Sequence, residues 1–451
     1  MNKRKIFKYK PYVHFDSRKN SKDYKVKISN RDWVSSHGFY PFIHYEIINP
    51  KKFKQSEPKK REIYYSAHLD RYIYQFYANE LNTYYNKIAK EYGINRVSIA
   101  YRNIFNGKSN IHFAKEVIDF ISVQEKAYVY IADFSKFFDR LDHSYLKEKL
   151  YDVLKCDKLP KEHYAIFKNI TNFTYINRND ILEYKGINDK EYNKLDKIFE
   201  TSKEFQSFKK KYLKKHRDSY EGKKNIGIPQ GSSISAVYSN IYMIDFDKNI
   251  NNYVTSNKGM YRRYCDDIII VIPICDDEEY IKHTEKINAM RTSIPKLNVV
   301  INDNKTSKFI YSQGKVIGAK HTNKNLINYL GFSFDGNSVK IRDKSLFKYY
   351  KRMYRKATVS SKCSVVLNRK IFRKKLYGIY SHLGANPKHK KIRGVNNKHG
   401  NFLTYAYKAH DVFKENSKYK TNIRAQVKNH WKKMNIRLKE ADLYYRNKYE
   451  K

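Results

Sequence analysis

The sequence predicts an α+β fold in which antiparallel strands carrying acids are set among amphipathic helices. Three observations predict it. Met260–Arg263 is basic, Asp266–Asp267 follow, and Ile268–Ile272 is an unbroken β-branched run closed by Pro273, which reads as strand, tight turn, strand. Ala127–Asp133 is a second apolar strand that ends on an acid and turns into a helix. Ile73, Tyr77, Leu81, Tyr84 and Ile88 recur at three- and four-residue steps, marking a helix from Asp70 to Gly93.

Taken in order, residues 1–58 are basic and aromatic with no clear period and read as a partly ordered N-terminal extension. Residues 59–126 hold the helix from Asp70 and another over 111–122. Residues 127–144 begin a central body with the strand at 127–133. Residues 145–225 read as an insert. Its Lys209, Lys210, Lys211, Lys214, Lys215 and Arg217 form either a solvated helical face or a grip on RNA. The central body resumes over 226–343 and closes on a hairpin whose Asp335-Gly336 signals a type I′ turn. Residues 344–451 read as helical. Phe347, Tyr350 and Tyr354 form a stripe opposite Lys348, Lys351, Arg352, Arg355 and Lys356. A basic loop, Pro387 to Gly400, then leads to a final helix with Ile423, Val427, Trp431, Met434 and Leu438.

Formal net charge is +47, from 92 Lys plus Arg against 45 Asp plus Glu, and so large an excess calls for a polyanionic partner. The 43 Tyr and 25 Phe add ring faces on which bases can stack, although most are expected in ordinary packing. The four Cys form no Cys-x-x-Cys pair, so neither a zinc site nor a disulfide framework is indicated. There is no apolar signal core and no run of about 18 apolar residues, so a cytoplasmic protein without membrane contact is expected.

An acid pair at a hairpin tip is a poor core element and a good ligand for a divalent cation. Tyr264-Cys265-Asp266-Asp267 is weak evidence alone, but it has company. Asp133-Phe134-Ser135-Lys136-Phe137-Phe138 precedes it, and Gly227-Ile228-Pro229-Gln230-Gly231 lies between. Asn302-Asp303-Asn304-Lys305 and Asn328-Tyr329-Leu330-Gly331-Phe332 follow. The acids Asp276 to Glu279, by contrast, read as a solvated turn. Five segments in this order resemble motifs A to E of the reverse transcriptase palm, and the resemblance extends from about Lys59 to Asp343.

The resemblance implies a right-hand polymerase: fingers, an antiparallel-sheet palm and a helical thumb. Two Mg²⁺ ions, or Mn²⁺ in their place, would be held by Asp133, Asp266, Asp267 and the Phe134 backbone, with Asp266 the direct ligand and Asp267 the weaker one. Phe138 would be the steric gate that selects deoxynucleotides. Gln230 would contact the incoming dNTP, and Gly231 would let the backbone approach the nascent pair. Lys60 and Arg61 would grip the triphosphate, Arg61 more so because its guanidinium forks onto phosphate oxygens. Lys305 would be the general acid for departing pyrophosphate, and Leu330, Gly331 and Phe332 the primer grip. Arg102 would order the fingers or touch template.

The implied activity is RNA-directed DNA synthesis, with RNA template, dNTPs and DNA product as partners. By exclusion of an endonuclease, an RNase H domain and a retron thumb signature, the chain looks most like the defence-associated "unknown group" of bacterial enzymes. That implies a dedicated structured non-coding RNA and an antiphage role. Protein-primed or untemplated synthesis and a catalytically silent RNA-binding scaffold are the alternatives. An RNA-synthesising enzyme is disfavoured because neither Gly-Asp-Asp nor a second acid in place of Phe138 is present. Oligomeric state stays open.

Overall fold

The structure is a computed structural model that describes residues 10–49, 59–216, 225–319, 325–385 and 400–449. Arg217 of the predicted basic face and most of the Pro387–Gly400 loop lie outside the described residues.

A five-stranded antiparallel sheet forms the centre, with the strand that ends on Asp133 in its middle. Its strands are β3 (Lys126–Asp133), β6 (Met260–Tyr264), β7 (Asp267–Pro273), β8 (Ser307–Ser312) and β9 (Lys315–Gly318). The unbroken apolar runs in β3 and β7 follow from burial on both faces. Tyr128, Tyr130, Ala132, Ile268, Ile270 and Ile272 pack into one core with the helices His68–Glu91, Ser233–Tyr242 and Ile244–Ser256. Ala127, Val129, Ile269 and Val271 pack into another, with the helix Asn110–Ser122 and the C-terminal helices. This parity also sets the acids, because Asp133 and Asp267 are register partners and follow the second face.

The N-terminal stretch departs from the expected extension. Its β1 (Phe42–Asn49) pairs with β2 (Lys59–Tyr65) and with β4 (Thr174–Asn177), and β5 (Lys214–Lys215) completes a second sheet ordered β2-β1-β4-β5. This second sheet is therefore assembled from the N-terminal stretch, the segment after it and the insert. Val13 and Phe15 join Ile43, Ile176, Phe199 and Phe205 in a third core. β1 escapes a sequence reading because Phe42 and Ile43 are both buried while Glu46 to Ile48 are exposed, which breaks the two-residue alternation.

The third sheet, β10 (Ile327–Tyr329), β11 (Phe332–Phe334), β12 (Ser338–Ile341) and β13 (Lys420–Thr421), ties the palm to the C-terminal helices. The type I′ pattern falls at a different turn from the one expected. Leu330 and Gly331 have φ of 43° and 94°, whereas at Asp335-Gly336 only the glycine is left-handed. There the Asp335 side chain accepts from the backbone N–H of Asn337 and Ser338 instead. The expected single C-terminal helix is two, Ile423–Val427 and His430–Tyr449, because Gln426 pairs its amide with both main-chain groups of Ile341 and docks the shorter one on β12. The basic side chains Lys348, Lys351, Arg352, Arg355 and Lys356 of the helix Asp343–Val366 are exposed, as expected, and Tyr350 is buried. Phe347 does not share that burial; it is 48% exposed. No helix among the described residues is long and apolar enough to cross a membrane, and all four cysteines are free.

Candidate active site

Three backbone segments meet at the end of β3. Asp133 closes the strand opposite Asp267, the first residue of β7. Cys265 and Asp266 form the two-residue turn between β6 and β7, with Cys265 left-handed at φ 60°. The Phe134 N–H donates to the Asp266 carbonyl at 3.1 Å, the Asn302 N–H to the Asp133 carbonyl at 2.8 Å and the Ser135 N–H to the Val300 carbonyl at 2.7 Å. These bonds fix the acidic turn and the segment carrying Lys305 against the same strand end.

The side chains repeat this convergence. The Asp133 and Asp266 carboxyl groups are close neighbours, and Lys305 is drawn onto Asp133 Oδ2. Asp133 Oδ1 is buried without a hydrogen-bond partner. Burial, then the neighbouring Asp133 charge, raises the Asp266 carboxyl above the usual range. Desolvation and the charges of Asp266 and Asp133 push Asp267 up to about 6, against the lowering pull of Lys305 and Arg342.

Like charges so close call for a cation. Among the described residues no group of three or more His, Cys, Asp or Glu is arranged to hold a metal ion by itself. Asp133 and Asp266 nonetheless fit a hard divalent ion. Mg²⁺ is bound by one or two carboxylates, with waters and substrate phosphates filling the sphere, and the orphaned Oδ1 is a free ligand atom. Asp267 faces Asp133 across the register but does not complete a three-carboxylate cage.

A cleft of about 960 Å³ runs beside this centre, lined by β2, by the helices His68–Glu91 and Ser233–Tyr242, and by Tyr101, Phe138, Gln230 and Gly231. Phe138 and Phe137 part company as expected: Phe137 is 4% exposed and stacks on Phe134, while Phe138 turns to the cleft. Ile63 and Tyr65 line the cleft, so strand alternation puts Arg61 on that face and Lys60 on the other, where it pairs with Glu46 at 3.5 Å. This separates the two basic residues expected to act together.

Gly231 also has a structural reason to be glycine. At φ 126° a Cβ would sit 2.6 Å from the Tyr64 carbonyl, and the Tyr64 N–H donates to the Gln230 carbonyl at 3.0 Å. The glycine lets β2 close onto this loop. Gly231→Ala should destabilise the fold by roughly 1–3 kcal/mol, measured by denaturant unfolding; wild-type stability would show that β2 shifts without loss.

The expected primer-grip residues also divide. Leu330 and Gly331 form the turn, with the Leu330 carbonyl accepting from Asn110 Nδ2 at 2.9 Å. Phe332 is fully buried against Phe413, so it supports the turn from within the core. Arg102 bonds Asn86, Asn95 and the Ser98 carbonyl, which orders its own loop. Asp277 pairs with Lys126 and Glu279 accepts from the backbone N–H of Cys275 and Asp276, as expected of a solvated turn.

Sequence reasoning missed the fully buried pair Arg263–Asp247, joined at 2.5 Å directly behind the acidic turn. The available signal was an arginine two residues before Cys265 together with an acid in an otherwise apolar helix face.

Residues 190–334 match the family described as "Reverse transcriptase (RNA-dependent DNA polymerase)", so this segment is similar to a reverse transcriptase domain. The match takes in Gln230, Asp266, Asp267, Lys305 and Leu330–Phe332 and stops short of Asp133, Phe138 and Arg61. No curated protein matches by sequence. Among solved structures, the chain is similar to apo telomerase from Candida tropicalis truncated from its C-terminal domain, at 14% identity and TM-score 0.42, over 69% of this chain and 59% of that one. Telomerase from Candida albicans in complex with a TWJ fragment of telomeric RNA is similar at 14% identity and TM-score 0.40, over 92% and 65%. The chain therefore spans less than two thirds of either telomerase.

Proposed function

We propose that the chain is an RNA-directed DNA polymerase whose metal-holding carboxylates are Asp133 and Asp266, with Asp267 in support. The meeting of those two carboxyl groups at the end of β3, with Lys305 drawn onto Asp133, is the observation that carries the reading. Asp133, Asp266 and the Phe134 backbone would hold two Mg²⁺ ions, or Mn²⁺, which would supply Lewis acidity for phosphoryl transfer. Arg61 clamps the triphosphate, and Lys305 gives a proton to departing pyrophosphate. Lys60, on the far face of β2, contributes charge without contact. Gln230 meets the nucleotide, and the Leu330–Gly331 turn supports the primer end.

Phe138 selects the sugar. Its ring stands in the cleft with no polar atom, so exclusion of a 2′-hydroxyl is steric. Primer extension with dNTPs and rNTPs tests both claims. Wild type should use dNTPs alone, and Phe138→Val should admit rNTPs with a gain of at least tenfold in relative use. An unchanged preference would make Phe138 a packing residue.

The resemblance to defence-associated enzymes supports a biological role: the chain works in the cytoplasm with a dedicated structured non-coding RNA and restricts phage. A phage panel plated on cells with the native locus, the Asp266→Asn/Asp267→Asn locus or an empty vector should show protection only in the first. Equal plating on all three would remove the defence role. Protection by the double variant would favour a silent RNA-binding scaffold.

A further inference from the structure

The acidic turn is strained and is held from outside itself. Cys265 takes φ 60° and Tyr101, which lies against it, φ 61°; neither is glycine. Such conformations persist only where the surroundings fix them. Two anchors do so here. Arg263 Nη1 donates to the Cys265 carbonyl at 3.1 Å. On the other side, the Tyr101 hydroxyl lies beside the Cys265 thiol.

Both anchors are themselves immobilised. The Arg263 guanidinium forks onto Asp247, at 2.8 Å from Nε to Oδ1 and 2.5 Å from Nη2 to Oδ2, and its Nη1 also reaches Asn240 Oδ1 at 3.2 Å. Tyr261 donates its hydroxyl to the same Asp247 oxygen at 2.8 Å. Asn240 in turn accepts from Ser98 Oγ at 2.8 Å and donates to the Ala100 carbonyl at 3.0 Å. The segment before Tyr101 runs beside β6: the Arg263 N–H donates to the Val97 carbonyl and the Ile99 N–H to the Arg263 carbonyl. Asn82, on the helix that lines the cleft, donates to the Tyr101 carbonyl at 3.0 Å.

Stability alone does not explain this arrangement, because a buried ion pair is often replaceable by apolar side chains without loss. What an apolar replacement could not do is hold the Cys265 carbonyl. We propose that Arg263 and Tyr101 are positioning residues of the metal centre, jointly holding the Cys265–Asp266 turn so that the Asp266 carboxylate meets Asp133. The inference rests on the polymerase reading and names a further part of its site.

Two variants test it. Arg263→Lys keeps a charge opposite Asp247 but loses the planar fork. Tyr101→Phe removes only a hydroxyl from a residue that is 48% exposed, so folding is not at stake. Binding of Mn²⁺ alone is measured by electron paramagnetic resonance, with melting temperature as the fold control and primer extension alongside. Loss of such supporting groups costs about 10-fold or more in metal affinity. The expected result is Mn²⁺ binding weakened about tenfold in Arg263→Lys and at least threefold in Tyr101→Phe, with kcat lowered and KM for dNTP within twofold of wild type. Wild-type Mn²⁺ affinity in folded Tyr101→Phe, or in folded Arg263→Lys, would overturn the assignment. Should Arg263→Lys fail to fold, Tyr101→Phe decides. A wild type that binds Mn²⁺ without synthesising DNA would sink the polymerase reading and leave this comparison decisive; a wild type that binds none would overturn both.

Discussion

Asp133→Asn and Asp266→Asn should each abolish nucleotide incorporation, lowering the rate by at least about a thousandfold, while leaving the fold and RNA binding intact. Each substitution removes one of the two carboxylates that meet at the end of β3. The loss is charge stabilisation in the transition state, worth several kcal/mol. The fold should survive because neither side chain holds the structure. Both residues join the network through backbone carbonyls, which an asparagine keeps, and the one side-chain tie of Asp133 is to the half-exposed Lys305. Removing one of two repelling acids relieves the site, so the melting temperature should rise or stay level. Single-turnover incorporation measured beside thermal unfolding checks this. A rate near wild type in either variant would remove these acids from the chemistry, and a lost fold would make them structural.

RNA affinity should collapse with salt. A formal charge of +47 has no counterpart inside the protein. The exposed face Lys348, Lys351, Arg352, Arg355 and Lys356 and the exposed Lys210, Lys211, Lys214 and Lys215 offer two basic tracts for phosphates. The logarithm of the binding constant should fall linearly with that of salt, at roughly 0.7 to 0.9 per neutralised phosphate. For six or more contacts this is about a thousandfold or more between 50 and 200 mM salt. Replacing Lys351, Arg352 and Arg355 by Gln should reduce the slope by about two to three. A salt-independent affinity would reject a phosphate-dominated footprint. Preference for one structured RNA that persists at high salt would support a dedicated partner.

The palm was legible in the sequence because its signals are local. The run Ile268–Ile272 is buried on both faces and needs no partner to be recognised, and Asp133 and Asp266 fall where strand and turn chemistry put them. The helix expected from Asp70 begins at His68, and that expected over 111–122 spans Asn110–Ser122. What failed was non-local. β1 has no clean alternation because its neighbours β2 and β4 bury it unevenly. The left-handed pair at Leu330-Gly331 contains a leucine, which no turn propensity favours, and it is held by Asn110 from a distant helix. Lys60 and Arg61 are adjacent in sequence, but only strand direction decides which one faces the cleft. Arg263 reads as one more base in a Lys- and Arg-rich chain until its burial against Asp247 is seen.

Sequencing the product shows whether this carboxylate centre copies RNA into DNA. The purified chain would be given two unrelated RNA templates, each with an annealed DNA primer, all four dNTPs and Mg²⁺. Two DNA products are expected, each the complement of its own template, and none with Asp266→Asn. One product of the same sequence from both templates, or a homopolymer, would contradict templated synthesis and point to an untemplated transferase built on the same acids.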